Sequence, residues 1–346
     1  MAELYRKNEE NKAKDKINEL CLNLPDYVRA FLSDIKTNTL PKTRLAYVKD
    51  LKTFFEYYCE VQEVQVVPKD ITCKDLEKLD LDFFNSYTDY LEFYRKDGKE
   101  YSNGKAAIKR KLSSLRKLYD YLFRGGHISV NNITKVAMPK LEQKQIIYMN
   151  QEEKSDFVNK VETGYNTESY MANAYHDRLG IRDYTIITLL LSTGMRVSEL
   201  VGLDITDINN KECFANIIRK GYKEAKVYYS DDMQIIMERY LSYRKNIQTK
   251  ETSENALFIS YRGNRISTRS VEYLVKKYAI SAVPGKKISP HKLRATFGTA
   301  LYEQTGDIYL TAEALGHNDV NTTKKHYANL SEERMKDARN KVSITQ

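Results

Sequence analysis

The chain of 346 residues has no tryptophan, only four cysteines and only five histidines. Cys21, Cys59, Cys73 and Cys213 lie far apart, and none belongs to a Cys-x-x-Cys pair with a matching Cys or His partner. That spacing argues against a structural zinc site and against a disulfide framework, and it suits a reducing cytoplasm. No run of 18 apolar residues occurs, and no apolar N-terminal stretch resembles a signal peptide. Neither a membrane partner nor export is therefore expected, and the expected location is cytoplasmic. No Gly-x-x-x-x-Gly-Lys-Ser/Thr loop is present, so no nucleotide is expected to drive the chemistry. There is no internal repeat of 20 to 50 residues and no low-complexity tract. The missing tryptophan, set against 27 tyrosines, carries no functional reading.

What is abundant is positive charge. The formal net charge is +9, with 56 Lys or Arg against 47 Asp or Glu. A balance of that sign favours a polyanionic partner, although an ordinary basic cytosolic protein would share it. The excess is concentrated. Residues 105 to 144 hold ten Lys or Arg against two acids, Asp120 and Glu142, an excess of eight. Within that stretch Ile108, Leu112, Leu115, Tyr119 and Leu122 form an apolar stripe of helical period. Lys105, Lys109 and Arg116 fall on the face beside it, at spacings of four and seven. Such a face is either merely solvated or set against nucleic-acid phosphates. Its concentration of charge favours DNA.

The length suggests two domains. Residues 1–23 are polar and charged and read as an arm or a short helix. Helical patterns follow from Pro25, from Thr43 (a candidate cap), from Asp75 to about Lys96, and from Ser102 to Gly125-Gly126. Residues 24–130 are thus expected as a helical DNA-binding domain. Residues 131–146, with Pro139 and spaced lysines, read as a basic linker, and 147–346 as a second domain with a C-terminal tail. In that domain Asn150 or Ser155 starts a helix ending near Gly164. Tyr165 to His176 reads as an irregular insertion, and Arg182 to Leu191 as an apolar helix stopped by Gly194. Phe214–Arg219 and Ala225–Tyr229 flank Gly221 as a hairpin. Asp231–Asn246 and Thr268–Ala282 read as helices, with a short strand at Leu257–Ser260 between them. Ser331 to Asn340 reads as a charged terminal helix whose thin stripe of Leu330, Met335, Ala338 and Val342 suits a groove on a partner.

The chemistry-bearing residues cluster late in the chain. His291 and Arg294, three apart after Pro290, share one helix face. Arg offers a fork of donors matched to a phosphate, His a proton near neutrality, and Tyr a hydroxyl that can attack. Upstream, Arg196 follows an apolar helix and Gly194. A charge there needs a partner, either a ligand phosphate or the structural neighbour Glu199. Lys220 sits at the hairpin turn, where a lysine is either merely solvated or presented to a substrate; Lys223 is its rival. His317 follows Gly316, and Tyr327 lies ten residues beyond it. Two arginine donors, proton handlers and a tyrosine hydroxyl together suggest phosphoryl transfer through a phosphotyrosine.

The ordered set resembles the tyrosine recombinases, the phage integrase family, in Xer-like form or as the integrase of a simple mobile element. The resemblance rests on Thr193-Gly-Met-Arg196-Val-Ser-Glu199-Leu200, Arg219-Lys220-Gly221, His291-Lys-Leu-Arg294, Leu315-Gly-His317 and Thr322-Thr323 leading to Tyr327. Many members place the tyrosine nine residues after the Leu-Gly-His histidine, where this chain has His326; others place it at ten. The resemblance implies a mainly α fold with a small β-sheet, an α+β catalytic domain. It also implies an N-terminal, SAM-like core-binding domain, the two domains closing as a C-shaped clamp. It implies Arg196, Lys220, His291, Arg294, His317 and Tyr327 as catalytic, with Glu199 supporting Arg196. No cofactor and no metal are implied. The implied partner is double-stranded DNA with an inverted-repeat core site. The implied assembly is a homo-tetramer on paired sites and a monomer or dimer in solution. A type IB topoisomerase shares the chemistry, and a DNA-binding protein that has lost catalysis would share the fold. Covalent adduct formation on DNA separates the last from the rest.

Overall fold

The computed structural model describes residues 2–62, 66–142, 146–164, 170–219, 221–317, 319–321 and 323–324. The chain divides into two compact units, one of residues 3–143 and one from residue 144 onward. It has the expected class, mainly α with small antiparallel sheets.

The first unit holds helices α1 (Ala2–Cys21), α2 (Asp26–Asp34), α3 (Pro41–Val61), α4 (Cys73–Glu77) and α5 (Leu81–Glu92), the hairpin β1 (Phe93–Lys96) and β2 (Lys99–Ser102), and α6 (Lys105–Arg124). The residues expected as an arm or a short helix thus form α1, with Ile17 and Leu20 packed on the core. Its centre is aromatic. Phe54 and Phe55 of α3, Phe84 and Tyr87 of α5, and Tyr119 of α6 are all buried, each ring stabilising the unit by roughly 1.5–3 kcal/mol. The Tyr119 hydroxyl escapes an unpaired burial by donating to Leu76 O at 3.0 Å.

Three expectations fail here for local reasons. The pattern from Asp75 to Lys96 is not one helix. Thr72 and Asp80 each cap a new start, Thr72 in a capping box with Asp75. The chain then turns at Asp97-Gly98, both with positive φ, into a two-residue hairpin with Tyr94 stacked on Tyr101 across the strands. Ser102 ends β2 rather than opening α6, and Thr43 lies within α3, which starts at Pro41.

Two basic residues of α6 are consumed internally. Asp50, 2% exposed, accepts from Arg110 and from Ser114 Oγ at 2.9 Å, and Lys111 Nζ stands 3.6 Å away. Arg116 is a third. Its guanidinium donates to Ile133 O at 3.3 Å, Thr134 O at 3.4 Å and Val136 O, which lie in and just after the single helical turn Asn132–Lys135. Ile133 and Val136, in the stretch expected as linker, belong to the core of this unit.

The second unit holds α7 (Gln151–Thr163), α8 (Tyr170–Thr193), α9 (Val197–Gly202), β3 (Ile208–Asn209), β4 (Phe214–Ile218), β5 (Glu224–Tyr228), α10 (Asp231–Arg244), α11 (Thr268–Ala282), α12 (Pro290–Thr305) and α13 (Ile308–Leu315). Asn150 and Glu153 form a capping box on α7. Ile186, Ile187, Leu189 and Leu190 of α8 are wholly buried because α7, α10 and α12 pack around that helix. The helix reaches back to Tyr170, so residues 170–176 are not an irregular insertion. The hairpin β4–β5 forms as expected, and the sequence pattern missed β3, which extends it to an antiparallel sheet of order β3-β4-β5. The strand expected at Leu257–Ser260 is reduced to two isolated bridges, Asp204 with Ala256 and Ile259 with Arg265. The expected tail helix from Ser331 lies outside the described residues.

Candidate active site

The site is built on the carboxyl end of α13. Asp307 caps the other end, accepting from Tyr309 N at 2.8 Å and Leu310 N at 3.0 Å. At the carboxyl end Gly316 turns into the left-handed region at φ +61, with Gly316 N donating to Glu313 O at 2.8 Å and His317 N to Ala312 O at 2.9 Å. That is a Schellman closure, and it needs glycine at its left-handed position. A helix end leaves carbonyls without helical partners, and its dipole makes them partly negative. Arginines take them in order. Arg219 donates to Glu313 O and Ala314 O, both at 3.0 Å. Arg294 donates to Leu315 O, and Arg196 to Gly316 O at 3.1 Å.

Each arginine is delivered by a separate device. α8 ends at Thr193, and Gly194 reverses the chain at φ +61. A side chain on Gly194 would stand 2.3 Å from Phe297 Cδ1 of α12, so glycine is demanded by conformation and by space. Arg196 then opens α9. The Glu199 carboxylate, 5% exposed, accepts from Arg196 N and from Arg196 Nη1, both at 2.8 Å. Arg294 sits in the first turns of α12 with Pro290 at its start; it is 5% exposed and also donates to Gly194 O at 2.6 Å. Thus Gly194 O, Leu315 O and Gly316 O tie the two arginine boxes and the Leu-Gly-His turn into one cluster. His291, one turn before Arg294, is exposed. His317 Nδ1 shares a 2.7 Å hydrogen bond with Thr323 Oγ1, and Thr323 is wholly buried.

Three guanidinium groups and one buried carboxylate make this helix end a positively charged cluster. Burial holds the Arg219 guanidinium below the usual arginine range; the Glu199 carboxylate works against that shift and the Arg196 charge with it. The cluster can bind an anion and can steady negative charge that grows on it. Among the described residues no group of three His, Cys, Asp or Glu side chains is set to hold a metal ion, and no helix is long and apolar enough to cross a membrane.

The structure therefore brings Arg196, Glu199, Arg294 and His317 together. Lys220, His326 and Tyr327 lie outside the described residues. Of the three residues expected to meet DNA, Lys105 extends into solvent 3.4 Å from Glu142, Lys109 is half-buried, and Arg116 is turned inward onto carbonyls. Sequence reasoning left Arg219 and Thr323 without a role. Arg219 differs from a solvated turn residue only through carbonyls distant in sequence, a contact no local pattern reveals.

Arginine donors and a histidine gathered at one helix end, in a mainly helical unit with a small sheet, make an anion-binding class of site that can serve phosphoryl transfer. The family model "Phage integrase family" matches residues 162–334, and the chain belongs to that family. Tyrosine recombinase XerC of Caldanaerobacter subterraneus is 33% identical over 336 residues, covering 94% of this chain and 89% of that protein. Tyrosine recombinase XerC of Pelobacter propionicus is 31% identical over 321 residues, covering 92% and 95%. Among solved structures, the XerH recombinase bound to a palindromic difH substrate after cleavage matches with a TM-score of 0.62 at 20% identity, covering 87% of this chain and 80% of that one. A lambda integrase dimer bound to a core site matches with a TM-score of 0.57 at 16% identity, covering 86% and 96%. At those identities the structures speak for the fold.

Proposed function

We propose that the protein is a site-specific DNA recombinase that cuts and rejoins strands through a 3′-phosphotyrosyl intermediate. The observation that carries this reading is the meeting of Arg196 and Arg294, from two separate sequence boxes, at the carbonyls of Leu315 and Gly316 beside His317. Tyr327 Oη attacks the scissile phosphorus, and the bond from phosphorus to the 5′ oxygen breaks. The tyrosine proton passes to His291, and Lys220 protonates the departing 5′ oxygen. A 5′ hydroxyl of another strand then attacks the tyrosyl ester and releases Tyr327, so the bond energy is conserved.

Arg196 and Arg294 hold the non-bridging oxygens, and His317 donates beside them. A guanidinium carries five donors. Arg196 spends one on Glu199 and one on Gly316 O, which fixes its plane and leaves others for the phosphate. Donors fixed in advance contribute roughly 3–4 kcal/mol each to the transition state.

The partner in this reading is duplex DNA with inverted repeats, bound by a tetramer across two sites in the cytoplasm. The XerH and lambda integrase structures hold palindromic and core-site DNA, which supports that choice. Residues 3–143 serve as the core-binding domain, with Lys105 and Lys109 on phosphates, and the unit from residue 144 onward as the catalytic domain. A relaxing enzyme or a silent DNA binder is disfavoured, because relatives similar over most of the chain are recombinases and both arginine boxes are intact. The test is adduct trapping on a duplex nicked just beyond the cleavage point, so that the short fragment bearing the freed 5′ hydroxyl is lost after cleavage. Wild type should accumulate protein–DNA adduct, while Tyr327→Phe should bind the duplex equally well and form none. Adduct in the variant would reassign the nucleophile.

A further inference from the structure

Arg219 stands at the point where β4 enters its turn, and its contacts reach well beyond that turn. Arg219 N donates to Lys223 O at 2.7 Å, closing the turn on itself. The side chain forks onto Glu313 O and Ala314 O, both at 3.0 Å. It also lies against Gly316, where an added Cβ would stand 2.1 Å from Nη1. One residue thus joins the β4–β5 turn to the helix end that carries His317. A turn arginine left in water would keep its hydration at no cost. This one is half-buried and spends both terminal nitrogens on a helix end, a geometry that a single ammonium point cannot reproduce.

We propose that Arg219 is a positioning residue that ties the β4–β5 turn to the end of α13, and that the proton transfer assigned to Lys220 depends on this tie. The β4–β5 turn and the Leu-Gly-His turn are then set in one frame with the arginine clamp. This rests on the reading of Lys220 as proton donor to the leaving oxygen. Gly316 serves the same device from the other side, since only a residue without Cβ lets the guanidinium lie there.

The experiment compares cleavage of an ordinary duplex with cleavage of one carrying sulfur at the 5′ bridging position, which leaves without a proton. Lys220→Ala should be slow on oxygen and largely restored on sulfur. Arg219→Ala should behave alike, losing about 100-fold on oxygen, as expected for an acid displaced by about an ångström, and returning to within about tenfold of wild type on sulfur. Arg219→Lys keeps the charge and loses the fork. It should show the same sulfur rescue with a smaller oxygen defect, and it carries the test if the alanine variant does not fold. Equal losses on both substrates for the Arg219 variants, beside a rescued Lys220→Ala, would overturn the positioning role alone. An unrescued Lys220→Ala would overturn the acid assignment, and the positioning role with it.

Discussion

Gly194→Ala puts the arginine-box geometry to a direct test. Two costs follow from the structure. The residue sits at φ +61, where an L side chain loses about 1–2 kcal/mol. Its Cβ would also stand 2.3 Å from Phe297 Cδ1 and 3.0 Å from two further ring carbons, an overpacking worth about 1–3 kcal/mol. Together these give about 2–5 kcal/mol. For a unit of about 200 residues each kcal/mol lowers Tm by roughly 2–4 °C, so a fall of roughly 4–20 °C is expected. The chain has no tryptophan, so calorimetry or far-ultraviolet dichroism would follow the transition. The cycle with Phe297→Ala separates the two costs. Once the ring is gone, Gly194→Ala should cost only the backbone part, leaving a coupling of about 1–3 kcal/mol. Adduct formation should fall as well, since Gly194 O receives Arg294 and Arg196 lies two residues on. The same penalty with and without the Phe297 ring would refute the contact and the account of why this box contains glycine.

Three more predictions concern the first unit. Replacing Lys105 and Lys109 together by Ala should lower the slope of log affinity against log salt by roughly 2, at about 0.9 per phosphate on duplex DNA, and an unchanged slope would mark that face as solvated. Arg116→Ala should leave the slope alone and instead lower the Tm of this unit, because three carbonyls lose their donor. Asp50→Ala leaves Lys111 buried without its carboxylate and should destabilise the unit by about 3–5 kcal/mol, read by urea unfolding; a variant as stable as wild type would show that the buried cluster contributes nothing.

The elements legible in the sequence were those whose signals are local. Thr268–Ala282 was readable to the residue from its period, and Asn150 and Gly164 bound α7 by cap and stop. The elements misread depended on competing local signals or on packing. Asp97-Gly98 is a strong hairpin signal, but it lies at the end of an aromatic stripe whose spacing continues to look helical through Tyr94. The start of α8 at Tyr170 was hidden because its first turns carry polar residues, Asn173, His176 and Asp177, with no apolar period to announce a helix. The bridges at Ala256 and Ile259 need partners from other segments, Asp204 and Arg265, and apolar content alone could not show that the pairing is one residue deep.

The arginine boxes were legible as an ordered set, yet the number of charges available to DNA was not. Among the described residues seven arginines donate to backbone carbonyls: Arg116, Arg182, Arg196, Arg219, Arg244, Arg265 and Arg294. A guanidinium suits this work because it is planar, always charged and many-donored, so it can close several orphan carbonyls at a loop or helix end. In a sequence such an arginine looks the same as one that grips a phosphate. The basic stretch of α6 illustrates the point, since Arg110 and Lys111 go to Asp50 and Arg116 to the turn after it. At α13 the two uses merge. The carbonyls of residues 313–316 hold three guanidinium groups at fixed positions, and two of those groups are the ones expected to meet the scissile phosphate. A clamp held by backbone atoms would need no reorganisation as charge develops on a phosphate, which is what the proposed function asks of this helix end.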